Sequence, residues 1–308
     1  MMLSSAIEMG PFNRFLAHMN YRHAYHAGNF ADILKHIVLT RCLAHLKEKS
    51  APFRVIDTHA GIGFYDLGGD AARRTGEAQT GISKLEAAQC PPDLANLLEP
   101  YHEAIAKTRT HHGPLAYPGS PAIVEALLRG EDRLIANELH PDDFETLREN
   151  FAFDGRVKTM ALDAVTVLNS SIPPKERRGL VLIDPPYEKR DEFASLIDMI
   201  VRAHRKWSTG VYAVWYPVKS KAEAAWFFGE LRKTAIPKIL RIEQTISDVR
   251  EGGALTSSGL IVINPPWRLA DDMKMLLPWL DQVLAQGPGH SWNVDWIAGE
   301  TSAERNRH

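Results

Sequence analysis

Apolar residues recur along this chain in two alternating rhythms. Short runs biased to Val, Ile and Leu occur at Arg54 to Asp57, Arg133 to Asn137, Val157 to Leu162, Leu180 to Ile183, Gly210 to Tyr216, Ile239 to Ile246 and Gly259 to Ile263. Their length and composition predict strands, that of Leu180 to Ile183 covered on both faces. Between most of them apolar positions return at helical spacing, clearest in Ile33, Leu34, Ile37, Val38, Cys42, Leu43 and Leu46. That stripe predicts a helix to about Lys47, capped by Asn29, with Asp32 in the first turn where the helix dipole favours a carboxylate. Lys35 and His36 fall off the stripe, on a face that is either solvated or turned toward a carboxylate or phosphate near the first strand. Further helices are expected at Pro141 to Asn150, Asp191 to His204, Lys221 to Thr234 and Ala270 to Gln286, followed by a short apolar piece, Trp292 to Ile297. Strand–helix alternation with an antiparallel ending predicts an α/β fold with a seven-stranded, Rossmann-like sheet.

The rhythm breaks between residues 65 and 113. Arg73 to Glu77, the pair Pro91-Pro92 and amphipathic pieces from Leu94 to Ala106 predict a small helical insertion over the ligand edge of the sheet. Tyr117-Pro118-Gly119-Ser120-Pro121 then starts another helix, with Ser120 as its cap and Pro121 in its first position. The expected organisation is an extension over 1–18, a main domain over 19–64 and 114–298, the insertion over 65–113, and a mobile charged tail over 299–308.

The chain has 308 residues, 44% of them hydrophobic, which suffices for one large core. A formal charge of −2 argues against nonspecific coating of nucleic acid while allowing a local basic face. Cys42 and Cys90 stand in no metal or redox spacing, as expected of core thiols in a reducing cytosol. The thirteen histidines show no ligand spacing, so no metal is expected. Residues 1–18, interrupted by Glu8, Pro11 and Arg14, hold no apolar run long enough for a secretion signal or membrane span.

Candidate chemistry concentrates at Leu-Val-Leu-Ile-Asp-Pro-Pro-Tyr, Leu180 to Tyr187. The prolines cannot extend the ladder, so the strand stops at Asp184 and presents a carboxylate to the crevice where open α/β sheets hold ligands. Asp184 and the carbonyl of Pro185 are suited to accept the two N–H hydrogens of a conjugated amine, drawing its lone pair out of the ring system, while Tyr187 stacks on the base. Asp-Pro-Pro-Tyr is similar to the signature of S-adenosylmethionine-dependent amino-methyltransferases. A near copy, Leu-Ile-Val-Ile-Asn-Pro-Pro-Trp at Leu260 to Trp267, comes too late in the strand count and is read as a strand exit.

Other strand ends fit such a site. Asp57-Thr58-His59-Ala60-Gly61-Ile62-Gly63 places two glycines after a strand, as close backbone approach to a ligand requires, with His59 either satisfying a turn carbonyl or touching a cofactor. Glu138, after the second strand, stands where ribose hydroxyls find their acceptor, and Asp163, after the third, is either beside an adenine ring or a helix cap. Tyr21, Arg22, His23, Tyr25 and His26 form either an RNA-facing arm or a polar surface segment. Ser247 to Ser258 is a polar loop that either covers a substrate or is disordered.

Seven ordered motifs together resemble one family. They are Tyr21 to Asn29, Leu34 to His36, Asp57 to Gly61, Arg74 to Glu77, Tyr117 to Pro121, Glu138 to Pro141 and Ile183 to Glu188. The combination resembles the bacterial 23S rRNA adenine-N6 methyltransferases called RlmJ, from about Asn20 to Trp296. The resemblance implies a class I S-adenosylmethionine-dependent methyltransferase of an adenine in 23S rRNA, acting in the cytoplasm as a monomer on protein-free or partly assembled RNA. It implies that Lys35, His36, His59, Ser120, Glu138, Asp163, Ala164 and Asp184 surround the cofactor, that Asp184, Pro185 and Tyr187 form the catalytic motif, and that Tyr21 and His23 meet the RNA. Ala164 departs from the family's usual glycine, and an alanine resists a left-handed backbone. A DNA adenine-N6 methyltransferase, or a nucleic-acid-binding protein without turnover, are the competing readings.

Overall fold

The computed structural model describes residues 23–187, 192–250 and 252–300. After a 3₁₀ turn, His23–Tyr25, the elements are α1 (Phe30–Lys47), β1 (Arg54–Asp57), β2 (Phe64–Asp66), α2 (Asp70–Thr75), α3 (Glu77–Thr80), α4 (Ile82–Ala87), α5 (Pro92–His112), β3 (Ala116–Pro118) and α6 (Ser120–Leu127). There follow β4 (Arg133–Asn137), α7 (Pro141–Asn150), β5 (Val157–Met160), α8 (Ala164–Ser171), β6 (Gly179–Ile183), α9 (Glu192–Lys206) and β7 (Val211–Pro217). The chain closes with α10 (Lys221–Lys233), β8 (Ile239–Thr245), β9 (Ser257–Ile263), α11 (Leu269–Leu284) and β10 (Ser291–Ala298).

The main sheet has eight strands among the described residues, in the order β10-β8-β9-β7-β6-β1-β4-β5, and β2 pairs separately with β3. Strands β5, β4, β1, β6 and β7 are parallel, whereas β9 runs antiparallel to both β7 and β8. This is the class I methyltransferase arrangement with one strand added. The expected count of seven is corrected because Trp292 to Ile297 is not a loose apolar piece but part of β10, paired antiparallel with β8. Its apolar residues alternate with Asn293 and Asp295, the period of a strand exposed at an edge.

Helices cover both faces of the sheet. One core joins α1, α5, α6 and α11, the other joins α8, α9 and α10. The insertion contributes Ile82, Leu85, Leu94 and Leu98 to the same core as α1. Helix α1 is buried nearly all round, Lys35 and His36 included, which excludes the solvated alternative for that pair, and Lys35 meets the carboxylate of Asp184. Asn29 caps α1 as expected, its side chain accepting from the Asp32 amide.

In the registers of β1 with β4 and β6, Asp57 lies opposite Ala136 on one side and Leu182 on the other. The chain exits at Asp57, Glu138 and Asp184 therefore open side by side on one edge, at the point where the strand order reverses. Cys42 is buried in the core, but Cys90 is only half-buried, in the turn before α5. The tail begins in contact with the sheet, since the Lys238 amide donates to the Gly299 carbonyl. The extension 1–18, Tyr21, Glu188 and residues 301–308 lie outside the described residues. Among those described, no helix is long and apolar enough to cross a membrane, and no cluster of three or more His, Cys, Asp or Glu residues is arranged to hold a metal ion.

Candidate active site

The exits of β1 and β4 are tied together by buried polar groups. Asp57, fully buried, accepts from Ser120 Oγ at 2.6 Å and from the His59 amide at 3.2 Å. Burial pushes its pKa up to about 7, although both contacts favour the charged form. Ser120 is thus not the cap expected of it. Gly119 occupies the cap position of α6, and the hydroxyl serves the strand tip instead. Asn137 donates to the carbonyls of Thr58 and Leu162 and accepts from the Leu162 amide, joining three loops.

Gly61 has φ +59°, a left-handed backbone that glycine adopts without strain, and its amide donates to Glu138 Oε2 at 2.9 Å. The other oxygen of Glu138 accepts from the His140 amide at 2.8 Å. A carboxylate oxygen can accept two hydrogen bonds, so acceptor capacity remains for a ligand. Burial raises the Glu138 pKa against these two amides.

Two cavities meet at Asp184. The first, about 240 Å³, runs past His59, Gly61, Ser120, Glu138 and Ala164. The second, about 380 Å³, is bounded by Tyr187, Trp215, Lys219 and Leu255. His23, Lys35, Asp184, Pro185 and Pro186 line both. Lys35 Nζ donates to Asp184 Oδ2 at 2.6 Å and pairs with Asp32 Oδ1 at 2.9 Å. Asp32 also accepts from the Gly28 amide and faces His23 Nε2, each at 3.0 Å. Burial alone would raise its pKa, yet His23 and Lys35 hold it well below the usual carboxylate range. Tyr187 has φ +51° and donates to the Trp215 carbonyl at 2.5 Å. A non-glycine residue in that region costs about 1–3 kcal/mol and is found where surrounding structure imposes it.

The sequence-predicted residues divide by position. Lys35, His59, Ser120, Glu138, Ala164, Asp184 and Pro185 come together on the first cavity, with His23 at its junction with the second. Tyr187 lines the second cavity only. Asp163 is exposed and caps α8, accepting from the Thr166 amide, while its neighbours Leu162 and Ala164 form the cavity wall. Ala164 is the first residue of that helix and has no positive φ, so the strain anticipated from alanine does not arise. Asn264 turns the opposite way, donating to the carbonyls of Ser208 and Gly210 at the start of β7, far from the strand exits. Sequence reasoning missed the site roles of Asp32 and Asn137. Their only local signals, a first-turn acid and a strand-end amide, have ordinary structural explanations.

His36, expected beside the cofactor, lines neither cavity. It is fully buried, its Nδ1 shares a hydrogen bond with Tyr117 Oη at 3.0 Å, and Nε2 has no hydrogen-bond partner among the described residues. Tyr117 in turn bonds Tyr101. Burial drives the His36 pKa down to about 3 from an ordinary 6.5. Below 6.5 the unfolded chain therefore binds more protons than the folded one, and this contribution to stability is lost as pH falls from 6.5 toward 3. Asp57 acts with the opposite sign between 3.8 and about 7. The expected result is that His36→Gln shows a smaller loss of melting temperature than wild type between pH 6.5 and 4.5, with no difference above pH 7.5. Equal slopes in a calorimetric pH series would show that His36 is not held neutral.

Known proteins share this framework. The family model described as "Ribosomal RNA large subunit methyltransferase D, RlmJ" matches residues 50–298. Two proteins named Ribosomal RNA large subunit methyltransferase J match over 284 residues, 92% of this chain and 100% of theirs. The one from Haemophilus influenzae is 41% identical and the one from Escherichia coli K12 is 42% identical. A crystal structure of a Legionella pneumophila protein, 36% identical, superposes with a TM-score of 0.77 over 88% of this chain and 98% of that one. Matches of this extent take in every strand exit that builds the two cavities, and the chain belongs to the RlmJ family of ribosomal RNA large subunit methyltransferases.

Proposed function

We propose that this protein methylates the N6 amino group of one adenine in 23S ribosomal RNA, using S-adenosylmethionine, and that it acts in the cytoplasm as a monomer on protein-free or partly assembled RNA. The observation that carries this reading is the position of Asp184, on the shared wall of two cavities, followed by two prolines and an aromatic residue. The first cavity suits the cofactor in its donor set. Glu138 retains acceptor capacity for ribose hydroxyls, the Gly61 turn brings backbone close, and Ser120, His59 and Lys35 offer polar contacts. S-adenosylmethionine, when bound, supplies a methyl group made electrophilic by its sulfonium.

The second cavity suits the base, since Tyr187 and Trp215 give it aromatic walls and Lys219 a cation. An adenine inside a helix cannot reach Asp184, so the nucleotide enters turned out of its stack. Asp184 and the Pro185 carbonyl accept the two amine hydrogens and aim the nitrogen lone pair toward the first cavity. As the N–C bond forms, the bond from the methyl carbon to sulfur would break and leave a neutral thioether, while positive charge grows on nitrogen beside the Asp184 carboxylate, which stabilises it and takes the proton directly or through water. Lys35, bonded to Oδ2, fixes the orientation of that carboxylate.

The test is methyl transfer from tritiated cofactor to deproteinised 23S rRNA and, separately, to DNA, followed by nuclease digestion and mass spectrometry. N6-methyladenosine should appear in the RNA at one position and not in DNA. Label entering DNA preferentially, or cofactor binding with no methylation of RNA, would replace this reading.

A further inference from the structure

Arg74-Thr75-Gly76-Glu77 lies in the helical insertion, and Glu77, with His26 and Asn29, lines the second cavity, which it shares with Asp184. Gly76, at φ +67°, ends α2 and caps α3 at once, so the two short helices meet without a linker. Thr75 Oγ1 donates to the Tyr25 carbonyl at 2.6 Å. The Glu77 carboxylate meets His26 Nδ1 at 3.0 and 3.1 Å and accepts from Asn29 Nδ2 at 2.9 Å. Five residues further on, the Ile82 amide donates to the Gly28 carbonyl at 2.8 Å. A Cβ on Gly81 would sit 2.1 Å from that oxygen, so only glycine permits the approach.

One stretch of eight residues therefore grips segment 25–29 at four points. The segment begins at His23, whose ring lies 5.1 Å from that of Tyr65, faces Asp32, and borders both cavities. We propose that Thr75 and Glu77 form a clasp that sets the position of segment 23–29, and through His23 guides the target nucleotide of the RNA into the second cavity in register with Asp184. They are positioning residues, and the inference rests on the reading of the second cavity as the base site. The hydrogen bond to Glu77 raises the His26 pKa, against burial. Burial would raise that of Glu77, but the bonds from His26 and Asn29 lower it, as a persistent ion pair requires.

The experiment compares wild type with Thr75→Val/Glu77→Ala and with Glu77→Asp. It measures amide exchange of residues 25–29, RNA affinity by filter binding, cofactor affinity by calorimetry, and steady-state methylation. In the double variant, exchange should accelerate roughly tenfold, RNA affinity should fall and the RNA KM rise by a similar factor, with kcat falling less than KM rises and cofactor affinity within about twofold. Glu77→Asp should recover part of the RNA affinity. Unchanged exchange overturns the clasp. Accelerated exchange with unchanged RNA affinity, or cofactor affinity falling in step, overturns its role toward RNA. If wild type binds RNA but transfers no methyl group, the proposed reaction fails, while exchange and RNA affinity still decide the clasp.

Discussion

Asp184→Ala should lower kcat for RNA methylation by roughly 10³-fold, the scale on which a preorganised group facing developing charge contributes to catalysis. The fold should survive. Asp184 follows the last residue of β6 and contributes nothing to the ladder, and Lys35 keeps its 2.9 Å contact with Asp32 when the 2.6 Å contact is removed. The melting temperature and circular dichroism of the variant should therefore stay close to wild type while single-turnover methylation collapses. The amine would then have the Pro185 carbonyl as its remaining acceptor, and charge growing on nitrogen would meet no carboxylate. Single-turnover rates within tenfold of wild type would remove Asp184 from the acceptor role.

Asp32→Ala should damage stability and activity together. Its carboxylate, 2% exposed, is the contact of Lys35 Nζ, His23 Nε2 and the Gly28 amide. Removing one member of a buried ion pair leaves the other charge uncompensated and costs about 3–5 kcal/mol. For a chain of this size that corresponds to a fall in melting temperature of order 10 °C. Lys35 would keep its contact with Asp184 but lose that with Asp32, and His23 would lose its contact with Asp32, so RNA methylation should fall at temperatures where the variant is still folded. Asp32→Asn, which keeps the shape, should recover the Gly28 contact and part of the stability but not the charge balance. A variant as stable as wild type in thermal unfolding would show that the Asp32–Lys35 pair does not stabilise the fold.

Much of this architecture is visible in one dimension because its cause is local. Three parallel strands, β1, β4 and β6, begin at or within one residue of where the apolar runs begin, since a strand covered on both faces is apolar almost throughout and ends where proline or polar residues halt the ladder. The Asn29 cap is equally local, involving one side chain and the amide three residues on. So is the turn after β6, where two prolines and a left-handed Tyr187 fix the direction of the exit.

What the sequence left open are the partners of polar groups. Lys35 and Asp184 are 149 residues apart, and Ser120 and Asp57 are 63 apart. A lysine in a helix reads as solvated until the sheet brings a carboxylate to it. Ser120 satisfies every local rule for a cap, yet β1 offers its hydroxyl a buried carboxylate. Asp163 and Asn264 show the converse. Both carry side chains suited to a site, but the wall beside Asp163 is built by Leu162 and Ala164, and antiparallel β9 delivers Asn264 to the opposite end of the sheet. By itself the sequence determined seven strands of the main sheet, most of the helices and the exit at Asp184, because hydrophobic periodicity and turn chemistry act over a few residues. Only the tertiary structure decided the Asp32–Lys35–Asp184 chain, the clasp on the arm and the edge strand β10, because burial and pairing of charges depend on segments far apart along the chain.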